Sequence, residues 1–414
     1  MAQTTPKGMR LHIGIFGRRN VGKSSILNAL TKQNVSIVSE FAGTTTDPVE
    51  KPMELLPIGP VLFIDTAGVD DVGALGELRI KKTQAIFDRV DLGVVVTDGV
   101  WGDFEESILS QLQSRKVPVV AVLNKCDLTN PDPETVSKLS AKNIKQVLVS
   151  ALSGDGISNL KQAFIDLAPE DFINNPSMLG DLVGSSGVCV LVVPIDKEAP
   201  KGRLILPQVQ AIRDLLDSDS LALVVKEREL RHAISMLSEK PRLVVTDSQA
   251  FLKVSADTPN DIPMTSFSIL LARQKGDLAT QVQGTLAIDS LCTGDKVLIA
   301  EACTHHPITE DIGRVKIPRW LAQYTGSQLD FEFHAGHDFP EDLSKYKLVI
   351  MCGGCMFGRR ETVNRIQKCV SAGVSVSNYG LAIAYSLGIF ERALKSFPSA
   401  HDIYMTYLKQ KAKN

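Results

Sequence analysis

The stretch Gly17–Ser24, which reads GRRNVGKS, decides the fold of the first part of the chain. It fits the pattern G-x-x-x-x-G-K-S without a mismatch, follows the apolar run LHIGIF and opens into the helical pattern SSILNAL. Glycines allow such a loop to curl until its backbone N–H groups point at phosphate oxygens. In this strand–loop–helix context the motif predicts a phosphate-binding P-loop within an α/β domain.

Residues of this loop have separate predicted roles. Lys23 supplies a positive charge to the β- and γ-phosphates of a nucleotide. The Ser24 hydroxyl is a hard oxygen ligand of the kind that Mg²⁺ prefers. The nucleotide-binding residues predicted within the loop and its first helical turn are Gly17, Asn20, Val21, Gly22, Lys23, Ser24 and Ser25.

The stretch DTAG, Asp65–Gly68, closes the apolar run PVLFID and extends the predicted site. Asp65 is expected to hold Mg²⁺ through a water molecule, and the Gly68 N–H to meet the γ-phosphate. A glycine-rich turn that arose by chance would not be followed by this second motif. The pair of motifs therefore predicts a nucleoside triphosphate with its magnesium ion.

The stretch NKCD, Asn124–Asp127, predicts which base is bound. An aspartate there accepts hydrogen bonds from the N1–H and the 2-amino group of guanine, whereas adenine would leave the carboxylate unpaired. Lys125 is expected to lie over the base. The stretch SAL offers a backbone N–H at Ser150 or Ala151 for the guanine carbonyl. Order and spacing together predict a GTP site.

Apolar runs and helical patterns alternate along the chain, which favours parallel sheets covered by helices. We therefore predict an α/β protein with a P-loop GTPase domain built on a mostly parallel sheet, followed by two smaller α/β domains. The segment 171–187 is rich in Pro, Gly, Asn and Ser and is expected to be a linker. The predicted boundaries are 1–170 for the GTPase domain, 171–187 for the linker, and 188–263 and 264–414 for the two smaller α/β domains.

Bulk properties exclude several classes of protein. The 414 residues carry a net charge of −2 with 22% charged residues, so no global basic field exists to hold nucleic acid. The N-terminus lacks the apolar core of a signal peptide, and no apolar run reaches the ~18 residues of a membrane helix. We expect a cytoplasmic protein whose seven cysteines stay reduced, so that a C-x-x-C motif points to metal or redox chemistry.

Cys303, His305, Cys352 and Cys355 form a second constellation. They read C-x-H, then 46 residues, then C-x-x-C, and the two halves follow the apolar runs KVLIA and YKLVIM. Neighbouring parallel strands end in one crevice, so we expect these side chains to converge. Four interpretations stay open: buried cysteines with a capping histidine, a redox pair, a Cys₃His zinc site, or an iron–sulfur cluster held by three thiolates that leave one iron exchangeable.

The first 170 residues resemble the G domain of small GTPases related to translation factors, especially the tRNA-modification (TrmE/MnmE-like, Era-type) branch. In that resemblance GTTTD, Gly43–Asp47, occupies the switch I position, and Thr45, or less favourably Thr44, completes the magnesium shell. Asn20 matches an asparagine that ligates K⁺ in this branch. Val69 stands where Ras-like enzymes carry a water-orienting glutamine, so hydrolysis is expected to be slow unless K⁺ supplies charge beside the phosphates. Lys23, Asn20, Thr45 and Gly68 are then the catalytic set.

The whole chain resembles the HydF family of GTPase maturation factors of iron–iron hydrogenases, on C-x-H-x₄₆-C-x-x-C behind a complete GTPase domain and on stretches such as TSFSILLAR and GHDFPEDL. The resemblance implies a homodimer in which 1–170 is the GTP-binding domain, 188–263 the dimerisation domain and 264–414 the iron–sulfur cluster-binding domain. It implies a [4Fe–4S] cluster on Cys303, Cys352 and Cys355, with His305 as fourth ligand or hydrogen-bond partner. It also implies a di-iron precursor as cargo, with radical-SAM maturases and apo-hydrogenase as partners.

Other interpretations also stay open. His306, His334, His337, Glu301 and Glu310 are alternative groups for the exchangeable iron. A GTP-dependent RNA-modification or ribosome-assembly factor with a structural zinc is the alternative function, and a regulatory switch whose metal only staples a domain is another. The segment Val69–Glu77, together with switch I, is expected to couple the nucleotide to the metal domain. Cys126, Cys189, Cys292 and Cys369 are expected to be structural.

Overall fold

The computed structural model describes residues 6–30, 49–55, 58–65, 85–173, 176–194, 204–303 and 311–413. The chain divides into two compact units, Met1–Asn175 and Pro176–Asn414. The residues predicted to bind GTP belong to the first unit, and the four predicted metal ligands belong to the second.

The first unit is built on one six-stranded sheet with strand order β2-β3-β1-β4-β5-β6. Only the β2–β3 pair is antiparallel among these described strands. Its strands are β1 (Leu11–Phe16), β2 (Val49–Leu55), β3 (Gly59–Asp65), β4 (Leu92–Thr97), β5 (Val119–Leu123) and β6 (Lys145–Leu148). Its helices are α1 (Lys23–Leu30), α2 (Asp103–Ser114), α3 (Pro133–Ala141), α4 (Ile157–Leu167) and α5 (Glu170–Ile173).

The central strands of this sheet are covered on both faces. Every residue of β1, β4 and β5 is buried, and these strands are almost continuously apolar, as expected for parallel strands between helix layers. One apolar cluster packs α1 and α4 against one face, and a second packs α2 and α3 against the other. The predicted α/β fold with a mostly parallel sheet is confirmed.

The second unit contains two four-stranded sheets in which every described pair is parallel. The first has the order β10-β9-β7-β8 and comprises β7 (Val188–Val192), β8 (Leu221–Val225), β9 (Leu243–Thr246) and β10 (Met264–Ser266). The second has the order β12-β11-β13-β14 and comprises β11 (Lys296–Glu301), β12 (Asp330–Ala335), β13 (Leu348–Met351) and β14 (Ser375–Asn378).

Helices connect these strands and share one large apolar core with both sheets. They are α6 (Gly180–Val183), α7 (Leu206–Asp217), α8 (Leu230–Met236), α9 (Phe251–Asp257), α10 (Phe267–Lys275), α11 (Leu278–Thr285), α12 (Ile317–Thr325), α13 (Arg359–Ser371), α14 (Tyr379–Ser386), α15 (Phe390–Leu394) and α16 (Pro398–Lys411). None of the described helices is long and apolar enough to cross a bilayer.

The segment expected to be a linker is partly folded. Residues 176–187 include α6, and Met178 and Leu179 are fully buried in the core of the second unit. The carboxylate of Asp214 on α7 anchors this segment. It accepts hydrogen bonds of 2.7–3.0 Å from the Ser177 hydroxyl and from the backbone N–H groups of Met178, Leu179 and Gly180. A charged acceptor contributes about 1.5–3 kcal/mol per hydrogen bond, enough to order a Pro- and Gly-rich stretch.

The boundary expected after Pro263 falls just before a strand of the preceding sheet. β10 pairs with β9, with Met264 beside Val244 and Ser266 beside Thr246. The middle sheet therefore takes in three residues that the sequence analysis assigned to the last domain. α10 follows β10 without a break and carries the chain towards the second sheet.

Candidate functional site

The loop Gly17–Gly22 joins β1 to α1 and has the strained backbone that a P-loop requires. Gly17 and Gly22 have φ of 148° and 94°. A Cβ atom on Gly17 would lie 2.3 Å from the Val96 carbonyl oxygen, and one on Gly22 would lie 2.2 Å from Asn124 Nδ2. Only glycine fits at either position. The sequence therefore folds this loop tightly against β4 and the NKCD motif.

Lys23 lies across this loop. Its side chain is buried, and Nζ donates hydrogen bonds of 2.6 Å to the carbonyl oxygens of Gly17 and Arg18. Both partners are loop carbonyls, so the ammonium group is held against the turn that is predicted to surround phosphate. Ser25 follows Ser24 in the first turn of α1 and is exposed.

Ser24 and Asp65 meet at the end of two neighbouring strands. β1 and β3 are paired with Ile15 beside Asp65, and the Ser24 hydroxyl donates a 3.0 Å hydrogen bond to Asp65 Oδ2. The other carboxylate oxygen, Oδ1, is buried without a hydrogen-bond partner. The Ser24 hydroxyl and the Asp65 carboxylate thus place hard oxygen atoms in contact, and one of the carboxylate oxygens has no hydrogen-bond partner. Oxygen atoms of this kind are the ligands that Mg²⁺ prefers.

Asn124 ties the three motifs together. Its side chain is buried, donates 2.8 Å from Nδ2 to the Val21 carbonyl and accepts a 3.1 Å hydrogen bond at Oδ1 from the Ala151 N–H. The Ser150 N–H donates a 3.0 Å hydrogen bond to the Asp155 carbonyl oxygen. Both backbone donors expected to meet a guanine carbonyl are therefore already engaged within the protein. Asp127 is exposed, so its carboxylate is accessible to a ligand.

Lys125 takes the left-handed conformation, with φ of 62°. Its ammonium group pairs with the Asp98 carboxylate at 3.3 Å, and both side chains are partly exposed. The Lys125 side chain therefore contacts the loop that follows β4. The NKCD motif predicts a place for this lysine over the base, and nothing in the motif indicates the Asp98 partner.

Arg18 is a P-loop residue whose role the sequence did not indicate. Its Nε and Nη2 donate to the two carboxylate oxygens of Glu105 at 2.9 Å each, and its guanidinium lies over the Phe104 ring. Glu105 is fully buried and also accepts 2.9 Å from the Gly102 N–H. This bidentate pair fixes one side of the P-loop to the start of α2. The glutamate at the third position of α2 was a signal for a helix cap, not for an arginine partner.

Several predicted residues lie outside the described part of the chain. They are Thr44, Thr45, Gly68, the segment Val69–Glu77, His305, His306 and Glu310. Asn20 is described: it is exposed and has a left-handed φ of 64°, a conformation that asparagine tolerates better than most residues.

Cys303 and Cys352 lie at the tips of two adjacent parallel strands. β11 and β13 are paired with Ala300 beside Met351, and the ladder continues as the Cys352 N–H donates 2.9 Å to the Ala300 carbonyl. The Cys352 sulfur accepts a 3.0 Å hydrogen bond from the N–H of Ala302, the residue before Cys303. The sheet therefore brings the two halves of the C-x-H and C-x-x-C pattern together.

The loop from Cys352 to Cys355 curls tightly. Gly354 has a φ of 64°, and its N–H lies 3.5 Å from the Cys352 sulfur. A Cβ atom on Gly353 would approach Leu271 of α10 to 3.0 Å. Burial, helped by the neighbouring Cys355, raises the pKa of the Cys352 thiol to about 12. Burial also raises the pKa of Cys355. Metal binding at these sulfurs must therefore displace protons and is favoured by higher pH.

Two buried cations beside this loop were not foreseen from the sequence. Lys275, the last residue of α10, donates to the carbonyls of Gly354, Cys355 and Phe357, and burial lowers its pKa to about 8. Arg365 on α13 is buried and contacts the Phe357 ring, with its guanidinium carbon 4.3 Å from the ring centroid. Neither position carries a spacing or motif that marks it.

The alternative groups for an exchangeable iron have protein partners. Glu301 is buried and accepts a 3.2 Å hydrogen bond from Arg314, while the Tyr379 hydroxyl lies 3.5 Å from its other oxygen. The two ring nitrogens of His334 lie within 3.0 Å of carboxylates of Glu332 and Asp338.

His337 belongs to a network with Glu361 and Arg365, which it joins through one ring nitrogen. Its Nδ1 lies 2.9 Å from Glu361 Oε1, which also pairs with Arg365 Nη2 at 3.0 Å. The second carboxylate oxygen of Glu361 is buried without a partner. The imidazole lies against the Phe357 ring in a tilted arrangement, with 5.4 Å between the ring centroids and 30° between the ring planes. This network packs on Phe357, which lies two positions after Cys355.

The donor set fits an iron–sulfur cluster. Cys303, Cys352 and Cys355 are soft sulfur donors on adjoining tips, and backbone N–H groups already point at one sulfur, as is usual for cluster thiolates. Among the described residues, no three His, Cys, Asp or Glu side chains are grouped so as to hold a single metal ion. Of the remaining cysteines, Cys189 and Cys369 are buried in the core, Cys126 is half-buried and Cys292 is exposed.

Comparison with protein families gives three matches. A model of the 50S ribosome-binding GTPase type matches residues 12–125. A hydrogen maturase F dimerization domain matches residues 178–276, and a hydrogen maturase F tetramerization domain matches residues 279–396.

Individual relatives match the first unit. tRNA modification GTPase MnmE of Prochlorococcus marinus (strain NATL2A) is 40% identical over 154 residues, which cover 36% of this chain and 33% of that protein. GTPase Der of Wolinella succinogenes is 35% identical over 166 residues, which cover 37% and 35%. The chain thus spans about a third of the length of these curated relatives.

Two solved structures are also similar to part of the chain. A variant of Era from Aquifex aeolicus bound to GDP.AlF4- shares 19% identity at a TM-score of 0.33 and covers 60% of this chain and 99% of that one. The G domain of the T. maritima FeoB iron transporter shares 22% identity at a TM-score of 0.30, covering 38% and 98%.

Together, the P-loop sheet and the GTPase match define a P-loop GTPase that is joined to a two-sheet unit with cysteines at its strand tips. The two matches over that second unit take in more than half of the chain. The chain belongs to the hydrogen maturase F family.

Proposed function

We propose that this protein is a GTPase and an iron–sulfur scaffold or carrier that assembles the di-iron precursor of iron–iron hydrogenase or delivers it to the apo-enzyme. The observation that carries the proposal is that Cys303 and Cys352 follow the ends of adjacent parallel strands, where the N–H of Ala302, next to Cys303, donates to the Cys352 sulfur, with Cys355 on the same loop as Cys352. Family membership supplies the proposed partners: radical-SAM maturases upstream and apo-hydrogenase downstream.

In this proposal Cys303, Cys352 and Cys355 hold a [4Fe–4S] cluster, and His305 is the proposed fourth ligand or its neighbour. Such a cluster supplies an iron with an exchangeable coordination position. The protein's own contribution is to place the sulfurs: the N–H groups of Ala302 and Gly354 stabilise negative charge on the Cys352 sulfur.

For GTP, we propose that Lys23 neutralises the phosphates while Ser24 and Asp65 hold Mg²⁺, with Thr45 completing its shell and Gly68 meeting the γ-phosphate. The contact between Ser24 and Asp65 and the buried orphan oxygen of Asp65 support this assignment. Asp127 reads the base with its exposed carboxylate. The slow rate follows from Val69, an apolar residue that cannot orient water by a hydrogen bond.

We expect hydrolysis to be at least about tenfold faster in K⁺ than in Na⁺ at equal ionic strength, a barrier difference of ~1.4 kcal/mol. Asn20 is exposed at the edge of the P-loop, where its amide oxygen can bind a cation. Replacing Asn20 by Gly keeps the positive φ accessible but removes that oxygen, so the K⁺ effect should vanish. Steady-state GTP hydrolysis in the two salts measures this.

Asn143 provides the matched control, because it is also exposed with a φ of 55° in the same unit. Asn143→Gly should keep the full response to K⁺. Equal rates of the unaltered protein in K⁺ and Na⁺ would contradict the potassium proposal.

We also propose that the protein forms a homodimer through the free edge of the first sheet in the second unit. β8 lies at the edge of that sheet, with Leu221 58% and Val224 42% exposed. Apolar side chains on an uncharged edge strand favour pairing with another strand. The double change Leu221→Lys and Val224→Lys should therefore shift the protein from dimer to monomer in light scattering.

Leu252 on α9 is equally exposed, at 57%, and Leu252→Lys is the control that should stay dimeric. A dimer that survives two lysines on β8 would rule out this edge as the interface.

A transfer assay tests the proposed function. The protein isolated from cells that also make the radical-SAM maturases should restore hydrogen evolution to purified apo-hydrogenase, whereas the Cys352→Ser variant from the same cells should not. Equal restoration by both proteins would remove the cluster site from the reaction.

A further inference from the structure

Lys275 is a buried lysine whose partners are all on one loop. The residue is 5% exposed, and Nζ lies 3.3 Å from the Gly354 carbonyl oxygen, 3.3 Å from that of Cys355 and 3.0 Å from that of Phe357. These carbonyls belong to the loop that carries Cys352 and Cys355. One side chain of α10 thus binds three carbonyl groups of this loop.

This geometry matches the charged form of lysine. An ammonium group has three N–H donors and no acceptor, which matches three carbonyl oxygens. A neutral amine would have two donors, and its lone pair would face a carbonyl oxygen. The three hydrogen bonds of Lys275 therefore fit an ammonium group.

A buried positive charge is costly unless a negative group compensates it. Cys355 and Cys352 are the described groups whose negative form favours the charged form of Lys275, and they become thiolates when they bind a metal. Arg365, another buried cation that interacts with Cys352, is compensated differently, by the Glu361 carboxylate at 3.0 Å. Of these two buried cations, Lys275 is therefore the one whose positive charge depends on the cysteine site for compensation.

We propose that Lys275 is a positioning residue that orders the C-x-x-C loop and places a fixed positive charge beside the iron–sulfur cluster, so that the cluster is easier to reduce. The inference rests on the proposed function, because it assumes that the three cysteines hold a cluster. Reduction adds negative charge to the cluster, and a nearby ammonium stabilises that charge more than it stabilises the oxidised form.

The test compares Lys275→Met, Lys275→Gln and Lys275→Arg with the unaltered protein after anaerobic loading with iron and sulfide. Lys296→Met is the matched control, because Lys296 is exposed at the opposite end of β11 from Cys303. Three quantities are measured: the melting temperature of the metal-free protein, the iron and sulfide content, and the midpoint potential followed by electron paramagnetic resonance.

At a fixed applied potential, the ratio of reduced to oxidised cluster should fall at least tenfold in a neutral variant that loads. This corresponds to ~59 mV for a one-electron couple. Lys275→Arg and Lys296→Met should stay within about threefold of the unaltered protein. If both neutral variants fold but do not load, loading of Lys275→Arg supports the proposal.

Other results would overturn it. A neutral variant that loads fully with a ratio within threefold of the unaltered protein removes the charge effect and leaves the proposed function intact. Failure of all three Lys275 variants to load, Arg included, would show that the shape of lysine rather than its charge is required. Absence of iron and sulfide from the unaltered protein would overturn the proposed function and this inference together.

Discussion

Replacing Lys23 by Met should lower kcat/KM for GTP hydrolysis about a thousandfold, a loss of ~4 kcal/mol of transition-state stabilisation. The lysine is buried against the P-loop with both described partners on that loop, so its charge is already positioned for the phosphates. Methionine keeps most of the apolar stem and removes the ammonium. The phosphates would then lose their central positive charge while the loop keeps its shape.

Lys138→Met is the control for this change, because Lys138 is exposed on α3 in a surface pair with Glu134 that is worth little. It should hydrolyse GTP at the unaltered rate. The iron and sulfide content of the Lys23 variant should also be unaltered, since the cysteines belong to the other compact unit. Hydrolysis by Lys23→Met within tenfold of normal would contradict the assignment of this site.

Replacing Cys352 by Ser should reduce bound iron to less than about a tenth of its normal content. Serine can still accept the hydrogen bond that Ala302 donates to this position, but its hard oxygen is a poor substitute for a thiolate at iron. Cys303→Ser and Cys355→Ser should behave alike. GTP hydrolysis should remain unchanged in all three, and the melting temperature of the metal-free protein should move by only a few degrees.

Cys292→Ser is the matched control, because Cys292 is exposed and has no role in the proposed site. It should keep its full complement of iron. If Cys352→Ser instead unfolds the second unit, as seen by circular dichroism, the metal acts only as a structural staple and the scaffold proposal fails.

Local patterns made much of the fold predictable. The motif around Lys23 and the apolar runs of β1, β4 and β5 are short-range signals, because glycine placement and unbroken burial act within a few residues. The strand tips that bear Cys303 and Cys352 followed from the same reasoning, since parallel neighbours end at one edge.

Strands with mixed polarity were missed. β2 reads VEKPMEL, with a proline and three charges, and it survives as an antiparallel edge strand where one side needs no partner. β12 reads DFEFHA and is half-exposed along most of its length. In neither case does the sequence show a continuous apolar run, because edge strands are only partly buried.

Partners distant in sequence could not be foreseen. Arg18 and Glu105 are 87 residues apart, and Lys275 lies 79 residues before Gly354. Asp214 orders a segment more than 30 residues before it. Each contact depends on how sheets and helices pack, and a single charged residue in a helix carries no mark of its partner. The structure therefore contains charged contacts around the P-loop and the cysteine loop that the motifs alone do not indicate.

Iron, acid-labile sulfide and zinc, measured in anaerobically purified protein together with electron paramagnetic resonance after reduction, show whether the three cysteines hold an iron–sulfur cluster. We predict about four irons and four sulfides per chain, as in a [4Fe–4S] cluster, a paramagnetic signal on reduction, and loss of that signal in Cys352→Ser. Zinc without sulfide would contradict this prediction and would favour a structural metal in a GTPase of another function.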